Sequence, residues 1–388
     1  MAERELRVLS VFGTRPEAVK MAPIIKQLER TENLVSMVCV TAQHREMLDQ
    51  ALELFSIHPD YDLNLMQVDQ SLASLSTAIF NALEPVLDEV QPDWMLIQGD
   101  TTTVMVAALL AYYKRIYVGH VEAGLRTNDK WQPFPEEINR RVASVVADLH
   151  FAPTTWARDN LAREGIPLGQ IIVTGNPVID ALLEISERPY PLKDETLAGI
   201  PDEHEVILVT AHRRENFGKP MERIFTALRE IAERYAGRLT LIYPVHMNPK
   251  VQEPAQRILG DVANIQLTSP MDYQSIVYWM KRARVILTDS GGIQEEAPAL
   301  GTPVLVLREV TERPEAIRAG TARLVGTDPD LIISETVRLL EDDEAHEAMA
   351  KAVNPYGDGH AAERIVAALI TAHRSPDRLS IRATSNDV

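Results

Sequence analysis

The stretch from Val285 to Leu307 restricts what this chain can fold into more than any other. Its two apolar runs, Val285–Leu287 and Val304–Leu307, have the length and β-branched content of buried parallel strands. Between them Thr288-Asp289-Ser290-Gly291-Gly292 makes a tight turn, a helix follows, and Gly301 stops it. A strand that turns through Ser-Gly-Gly straight into a helix leaves the free N–H groups of the first helical turn pointing outward. With the helix dipole behind them, those groups favour an anion. Glu295 and Glu296 fall one turn in, where a carboxylate accepts hydrogen bonds from ribose hydroxyls. As structure alone the same residues make an ordinary turn.

Apolar strand-like runs alternate with helical patterns along the whole chain, which predicts an α/β protein with doubly wound parallel sheets. The strands of the first half read Leu6–Phe12, Met37–Thr41, Trp94–Ile97, Tyr117–Val121, Leu149–Ala152 and Ile171–Val173, and those of the second Val206–Thr210, Leu239–Val245, Asn264–Leu267, Val285–Leu287 and Pro303–Leu307. With 388 residues there is room for two domains, expected at 1–174 and 175–359, with Pro189–Pro201 as an irregular connection. A helix near 360–374 is expected to pack back on the first domain, and 375–388 to be a disordered tail. Two such halves facing each other would place a ligand cleft at the carboxyl ends of both sets of strands.

The net charge of −17 argues against nucleic acid or an anionic membrane as partner, so basic residues at strand ends carry more information than usual. No apolar run is long enough to span a bilayer, and the N-terminus lacks a signal-peptide layout, so the expected location is cytoplasmic. The single cysteine, Cys39, lies in an apolar strand and reads as an inert core residue.

Four other strand ends carry chemistry. The first gives Gly13-Thr14-Arg15-Pro16-Glu17 with Lys20 one turn later, two bases able to reach a diphosphate or merely solvated beside a capped helix. Neither a Gly-x-Gly-x-x-Gly nor a Walker pattern follows this strand. The next end gives Gly99-Asp100-Thr101, where Asp100 is either functional or a helix cap. Glu122, in His120-Val121-Glu122-Ala123-Gly124, is an acid in an apolar strand end, a costly place without a partner. Glu136 opens a helix after Pro133 and Pro135, where the dipole alone would favour an acid. Asp100, Glu122 and Glu136 gathered together could hold different protonation states and move protons. In the second half, His212-Arg213-Arg214 reads as a phosphate clamp or a solvated basic loop, and His246 ends the next strand. The histidines lack metal-ligand spacing, so no metal is expected.

The motifs Gly13-Thr14-Arg15-Pro16-Glu17-Ala18, Gly99-Asp100-Thr101, His120 to Arg126, Pro135-Glu136-Glu137, Ala211 to Glu215 and Asp289 to Glu296 together resemble the non-hydrolysing bacterial UDP-N-acetylglucosamine 2-epimerases, in order and across about residues 6 to 373. The resemblance implies a glycosyltransferase-B-like fold, a homodimer, no cofactor, and reversible conversion of UDP-GlcNAc to UDP-ManNAc for cell-surface polysaccharide. Its mechanism is elimination of UDP through 2-acetamidoglucal followed by re-addition. It implies Asp100, Glu122 and Glu136 as acids and bases, with His212 assisting at the diphosphate. It further implies Arg15, Lys20, Arg213, Met271, Ile276, Ser290, Gly291, Gly292, Glu296 and Arg313 around UDP. Some relatives carry Gln and Phe where this chain has Met271 and Ile276, and Pro177 replaces a common Thr.

The rival functions are a UDP-sugar glycosyltransferase of the same fold, a hydrolysing epimerase, and a catalytically silent nucleotide-sugar sensor. The six-motif match counts against the glycosyltransferase, and the three acids against a silent binder. Relatives regulated by a second UDP-GlcNAc suggest an allosteric role for Gln43, Glu46, Gln70 and His246. Glu46 and Asp69 depart from the Gln and Arg of some of those relatives.

Overall fold

The computed structural model of the chain describes residues 5–42, 45–65, 70–192 and 195–374. It divides into two compact units, one built from the chain up to Ala181 and from Tyr356 onward, the other from Leu182–Pro355.

The first unit contains strands β1 (Leu6–Phe12), β2 (Leu34–Val40), β3 (Tyr61–Asp62), β4 (Trp94–Gln98), β5 (Tyr117–Val121), β6 (Leu149–Ala152) and β7 (Ile171–Val173). They form one seven-stranded sheet in the order β3-β2-β1-β4-β5-β6-β7, and the pairings are parallel. Parallel strands need crossovers, here α1 (Arg15–Glu29), α2 (Arg45–Phe55), α3 (Leu72–Val90), α4 (Thr102–Tyr113), α5 (Glu136–Val146) and α6 (Thr155–Arg163). The chain leaves the unit inside α7 (Pro177–Ser186).

The second unit begins within α7, continues through the short α8 (Glu195–Ala198) and holds β8 (Glu205–Thr210), β9 (Leu239–Pro244), β10 (Ile265–Thr268), β11 (Val285–Thr288), β12 (Val304–Val306) and β13 (Ala322–Leu324). Their order is β10-β9-β8-β11-β12-β13, again parallel. The helices are α9 (Lys219–Arg234), α10 (Pro249–Leu259), α11 (Tyr273–Arg282), α12 (Gly291–Glu296), α13 (Pro314–Ala319), α14 (Pro329–Glu341) and α15 (Asp343–Ala350). The last helix, α16 (Ala361–Arg374), returns to the first unit and lies against α1.

Each sheet reverses its order once, between β1 and β4 and between β8 and β11. Those are the switch points where loops leaving the carboxyl ends of neighbouring strands diverge and leave room for a ligand. The strands are rigid there because both faces of each sheet are covered. Every residue of β4 is buried, and Leu9, Val11, Met95, Ile97 and Val118 pack with Leu83, Leu87, Val104 and Ala107. In the second unit Ile207, Val209, Leu241, Leu287 and Leu305 pack with Phe225, Leu228, Ile231 and Leu339. Each such large side chain contributes roughly 1.5–3 kcal/mol of burial free energy.

The units divide at residues 181/182 and 355/356, so the proline-rich Pro189–Pro201 lies inside the second unit and does not join the two. The crossing itself is hidden in α7, where Val178, Ile179, Ala181, Leu182 and Ile185 are buried and no breaker interrupts the helix. The edge strands β3 and β13 carry two and three residues, too few to give a periodic signal. Among the described residues no helix is long and apolar enough to cross a membrane.

Candidate active site

In the first unit the loops after β1, β4 and β5 meet around acidic side chains. Glu122 follows directly on β5 in the left-handed region, with φ +62°, a strain of order 1–3 kcal/mol for a non-glycine. Gly124 completes the turn at φ +94°, and a Cβ there would lie 2.3 Å from the Ala157 carbonyl oxygen. The turn aims Glu122 back across the sheet edge, where its Oε2 is ion-paired with Lys20 of α1. The same oxygen accepts from Gln98 Nε2 at 3.1 Å and Asn176 Nδ2 at 3.3 Å. The strain persists because these partners over-determine the conformation.

Asp100 lies after β4, and its Oδ2 is 2.6 Å from Nη2 of Arg140 on α5. Burial is the largest influence on its carboxyl and raises it above the ordinary range. Arg140 opposes the rise, Glu122 adds to it, Lys20 opposes, and Glu136 adds again. Desolvation dominates although 28% of the side chain remains accessible. Asp100, Glu122 and Glu136 therefore share one electrostatic neighbourhood with two bases. The following helix is capped by Thr101, whose hydroxyl accepts from the Val104 N–H, so Asp100 is not the cap.

Two buried histidine and glutamate side chains support this edge. His120 donates from Nε2 to the Gly99 carbonyl at 2.8 Å, and burial lowers its pKa to about 4, so it stays neutral in that role. Glu17 accepts from the Gly13 and Thr14 N–H groups at 2.8 and 2.7 Å and from the Thr101 hydroxyl at 2.7 Å. One carboxylate thus ties the loop after β1 to the loop after β4. Cys39 is buried and its thiol is pushed up to about 12, chiefly by desolvation, which leaves it inert.

In the second unit the fully buried Asp289, after β11, accepts through Oδ2 from the N–H groups of His212 and Arg213 at 2.9 and 2.8 Å. It also accepts from Asn216 Nδ2 at 3.0 Å. The loop after β8 is thereby clamped to the loop after β11. Arg213 and Arg313 flank the start of α12: a Cβ on Gly291 would lie 3.8 Å from Nη2 of Arg213 and 3.9 Å from the Arg313 guanidinium. Arg313 is itself ion-paired with Glu295. Glu296 accepts from the Tyr273 hydroxyl at 2.9 Å. The Ser290 N–H is taken up by the Thr288 hydroxyl at 2.9 Å, so the positive character at the start of α12 comes from the two guanidinium groups beside Gly291 and from the helix start at Gly291-Gly292.

His212 stacks on His246, with ring centroids 5.5 Å apart and planes inclined by 10°. Burial lowers the His212 pKa first; Asp289, 3.7 Å away, opposes this, and His246 and Arg213 add to it. His246 accepts the Asn248 N–H at Nδ1.

Of the residues singled out by sequence, Asp100, Glu122, Glu136 and Lys20 come together in the first unit, with Arg15 at the start of α1. In the second unit His212 and Arg213 lie in the loop after β8, Ser290 between β11 and α12, Gly291, Gly292 and Glu296 in α12, and Arg313 after β12. Met271 and Ile276 lie just before and within α11, and both are partly buried. Gln70 immediately precedes Ser71, the cap of α3. Gln43 and Asp69 lie outside the described residues, as does the side chain of Glu46. Sequence reasoning missed Gln98, Asn176, Arg140 and the buried side of Glu17. The polar Gln98 ending an otherwise apolar strand was the visible signal.

His212 is expected to titrate in an NMR pH series below the ordinary histidine value of about 6.5 and to be neutral at pH 7. Asp289→Asn removes the opposing negative charge and lowers the value further, whereas His246→Gln removes the imidazole that adds to the lowering and raises it. A midpoint at or above the ordinary value in the unaltered protein would contradict this description of the pocket.

Residues 26–370 match the family model described as UDP-N-acetylglucosamine 2-epimerase. The chain is 54% identical over 372 residues to the UDP-N-acetylglucosamine 2-epimerase of Salmonella typhimurium, covering 94% of this chain and 98% of that protein. It is 52% identical over 370 residues to that of Escherichia coli K12, with the same coverage. The crystal structure of the Neisseria meningitidis UDP-GlcNAc 2-epimerase bound to UDP-GlcNAc superposes with a TM-score of 0.83 at 49% identity, covering 94% of this chain and all of that one (100%). By sequence along nearly its whole length and by fold, this chain belongs to the UDP-N-acetylglucosamine 2-epimerase family of isomerases.

Proposed function

We propose that the protein interconverts UDP-GlcNAc and UDP-ManNAc by the non-hydrolysing route, without a cofactor. The observation that carries this reading is the set Asp100, Glu122 and Glu136 held with Lys20 and Arg140 at one sheet edge. A base removes the C2 proton, the C2–H electron pair becomes the C1=C2 bond of 2-acetamidoglucal, and the C1–O bond breaks with its pair leaving on UDP. Return of a proton to the other face of C2 and re-addition of UDP to C1 gives the epimer. Each half needs a carboxylate and a carboxylic acid available near neutral pH. Opposed influences on neighbouring carboxyls are how a site keeps both.

Arg213, Arg313 and the helix start at Gly291-Gly292 would stabilise the departing diphosphate, and the resemblance assigns Ser290, Arg15 and Lys20 to UDP as well. His212, kept neutral by burial, would donate to a phosphate oxygen. Glu296 would take the ribose, already oriented by Tyr273. Met271 and Ile276 would line the uracil side. The Neisseria meningitidis relative is bound to UDP-GlcNAc, which supports the substrate class. A homodimer and a cytoplasmic location belong to the same reading. The exposed Tyr112, Tyr113 and Val145, at 53%, 64% and 80%, give apolar surface for a second copy. The ManNAc units would serve cell-surface polysaccharide.

In deuterated water the enzyme should incorporate one deuterium at C2 in both epimers with UDP still attached. Asp100→Asn, Glu122→Gln and Glu136→Gln should each lower turnover by about 10² to 10⁴ while retaining UDP binding. Release of UDP and free ManNAc in equal amounts would establish hydrolysis instead. Near-native turnover in all three variants would remove the catalytic assignment.

A second UDP-GlcNAc is proposed as an activator, with Gln43, Glu46, Gln70 and His246 as its contacts. It would act only through tighter binding to the active state. An acid at 69 repels a diphosphate, so the coupling should be weak. Purified UDP-ManNAc should be converted with a lag that a trace of UDP-GlcNAc abolishes. A linear progress curve unchanged by UDP-GlcNAc would refute activation.

A further inference from the structure

The proposed mechanism leaves Asn176, a buried polar residue beside the carboxylates, without a task. Asn176 is 1% exposed and stands immediately before α7, at the end of the first unit's own chain. Its Oδ1 accepts the Val178 N–H at 3.2 Å, the bond of a helix cap. That bond decides which end of the amide turns inward, because the Nδ2 group must then face Glu122, whose Oε2 it meets at 3.3 Å. The backbone of Asn176 is fixed as well: its N–H donates to the Tyr356 carbonyl at 2.6 Å, where the chain re-enters the unit.

Further contacts hold this crossing rigid. Gly175 and Gly357 have φ of +87° and +139°, and a Cβ on Gly175 would lie 3.1 Å from the Gly357 Cα, so the two backbones touch where no side chain fits. Asp180, one turn into α7, accepts from the Ala361 and Ala362 N–H groups at 3.2 and 2.9 Å and so caps α16. Arg364 of α16 donates to the Thr174 carbonyl at 3.0 Å. A plain cap on α7 would need none of this and would serve as well with Asp or Ser as with Asn.

We propose that Asn176 is a positioning residue for the epimerisation, acting through Glu122: its amide, anchored where the chain leaves and re-enters the first unit, holds the Glu122 carboxylate in aim and in its ionised form. The inference rests on the function proposed above and deepens it. Among the donors to Oε2, Lys20 and Gln98 belong to α1 and β4, whereas Asn176 comes from the crossing. A donor to a carboxylate favours the charged form, so its loss shifts the Glu122 ionisation upward, and a carboxylate in its place shifts it further.

The variants that separate this role from capping are Asn176→Asp and Asn176→Ser, since both residues cap helices as well as Asn. Thermal unfolding, UDP affinity by calorimetry, kcat, KM and the pH profile of kcat/KM are measured for each, alone and combined with Glu122→Gln. Asn176→Asp should keep the unfolding temperature and UDP affinity, lower kcat about tenfold or more, and move the acid limb up by about one pH unit or more. Asn176→Ser should move both in the same direction by less, which keeps the test valid if the Asp variant folds poorly. In the Glu122→Gln background either substitution should cost little, because the group it acts through is gone. Wild-type kcat and pH profile in both Asn176 variants, with Glu122→Gln inactive, would overturn the positioning role alone. Equal, multiplicative losses in the two backgrounds would overturn it too. Native turnover in Glu122→Gln would overturn the underlying catalytic assignment together with the proposal.

Discussion

In each unit a buried carboxylate joins the two loops that diverge at the switch point, and the side chains proposed for the chemistry lie on or beside the loops so joined. Glu17 accepts from the backbone of the loop after β1 and from Thr101 after β4. Asp289, after β11, accepts from the backbone of the loop after β8. Loops at parallel strand ends expose amide groups that have no ladder partners, and a buried amide left unsatisfied costs roughly 1–3 kcal/mol. A carboxylate meets two or three of them at once. Burial raises Glu17 above its ordinary range even so. The join therefore carries an electrostatic cost, offset by the order it gives to Gly13–Arg15, Asp100, His212 and Arg213.

With those loops fixed, the two units divide the chemistry by charge. The first gathers three carboxylates, with Lys20 paired to Glu122 and Arg140 to Asp100. The second places Arg213 and Arg313 beside Gly291 at the start of α12. A chain of net charge −17 repels a nucleotide sugar at long range, so binding depends on such short-range groups. Salt should weaken that repulsion more than it weakens the contacts within the pocket.

Much of this was legible in the sequence because it is written in local patterns. The strands β1, β5, β6 and β7 carry apolar runs bounded by Gly, Pro or acid, and their ends match the expected residues. Asp100, Glu122 and His212 stood out because each polar group interrupts or ends an apolar run. What escaped depends on contacts distant in sequence. Asn176 lies 54 residues from Glu122, and nothing in Gly175-Asn176-Pro177 indicates which way its amide turns. Glu17 reads as an ordinary first-turn acid until Thr101 is brought against it. The stacking of His246 on His212 is likewise invisible in the sequence, because the two histidines follow different strands. The crossing between units escaped because α7 continues through it without a break.

The central claim is that the C1–O bond of the nucleotide sugar breaks and re-forms while UDP stays bound. Positional isotope exchange tests it most directly, using UDP-GlcNAc labelled with oxygen-18 in the bridge between C1 and the β-phosphorus. Cleavage frees that phosphate to rotate, so the account predicts that label will appear in the non-bridging β-oxygens of recovered UDP-GlcNAc and UDP-ManNAc. Label confined to the bridge in both epimers after full equilibration would contradict elimination of UDP and the mechanism built on it.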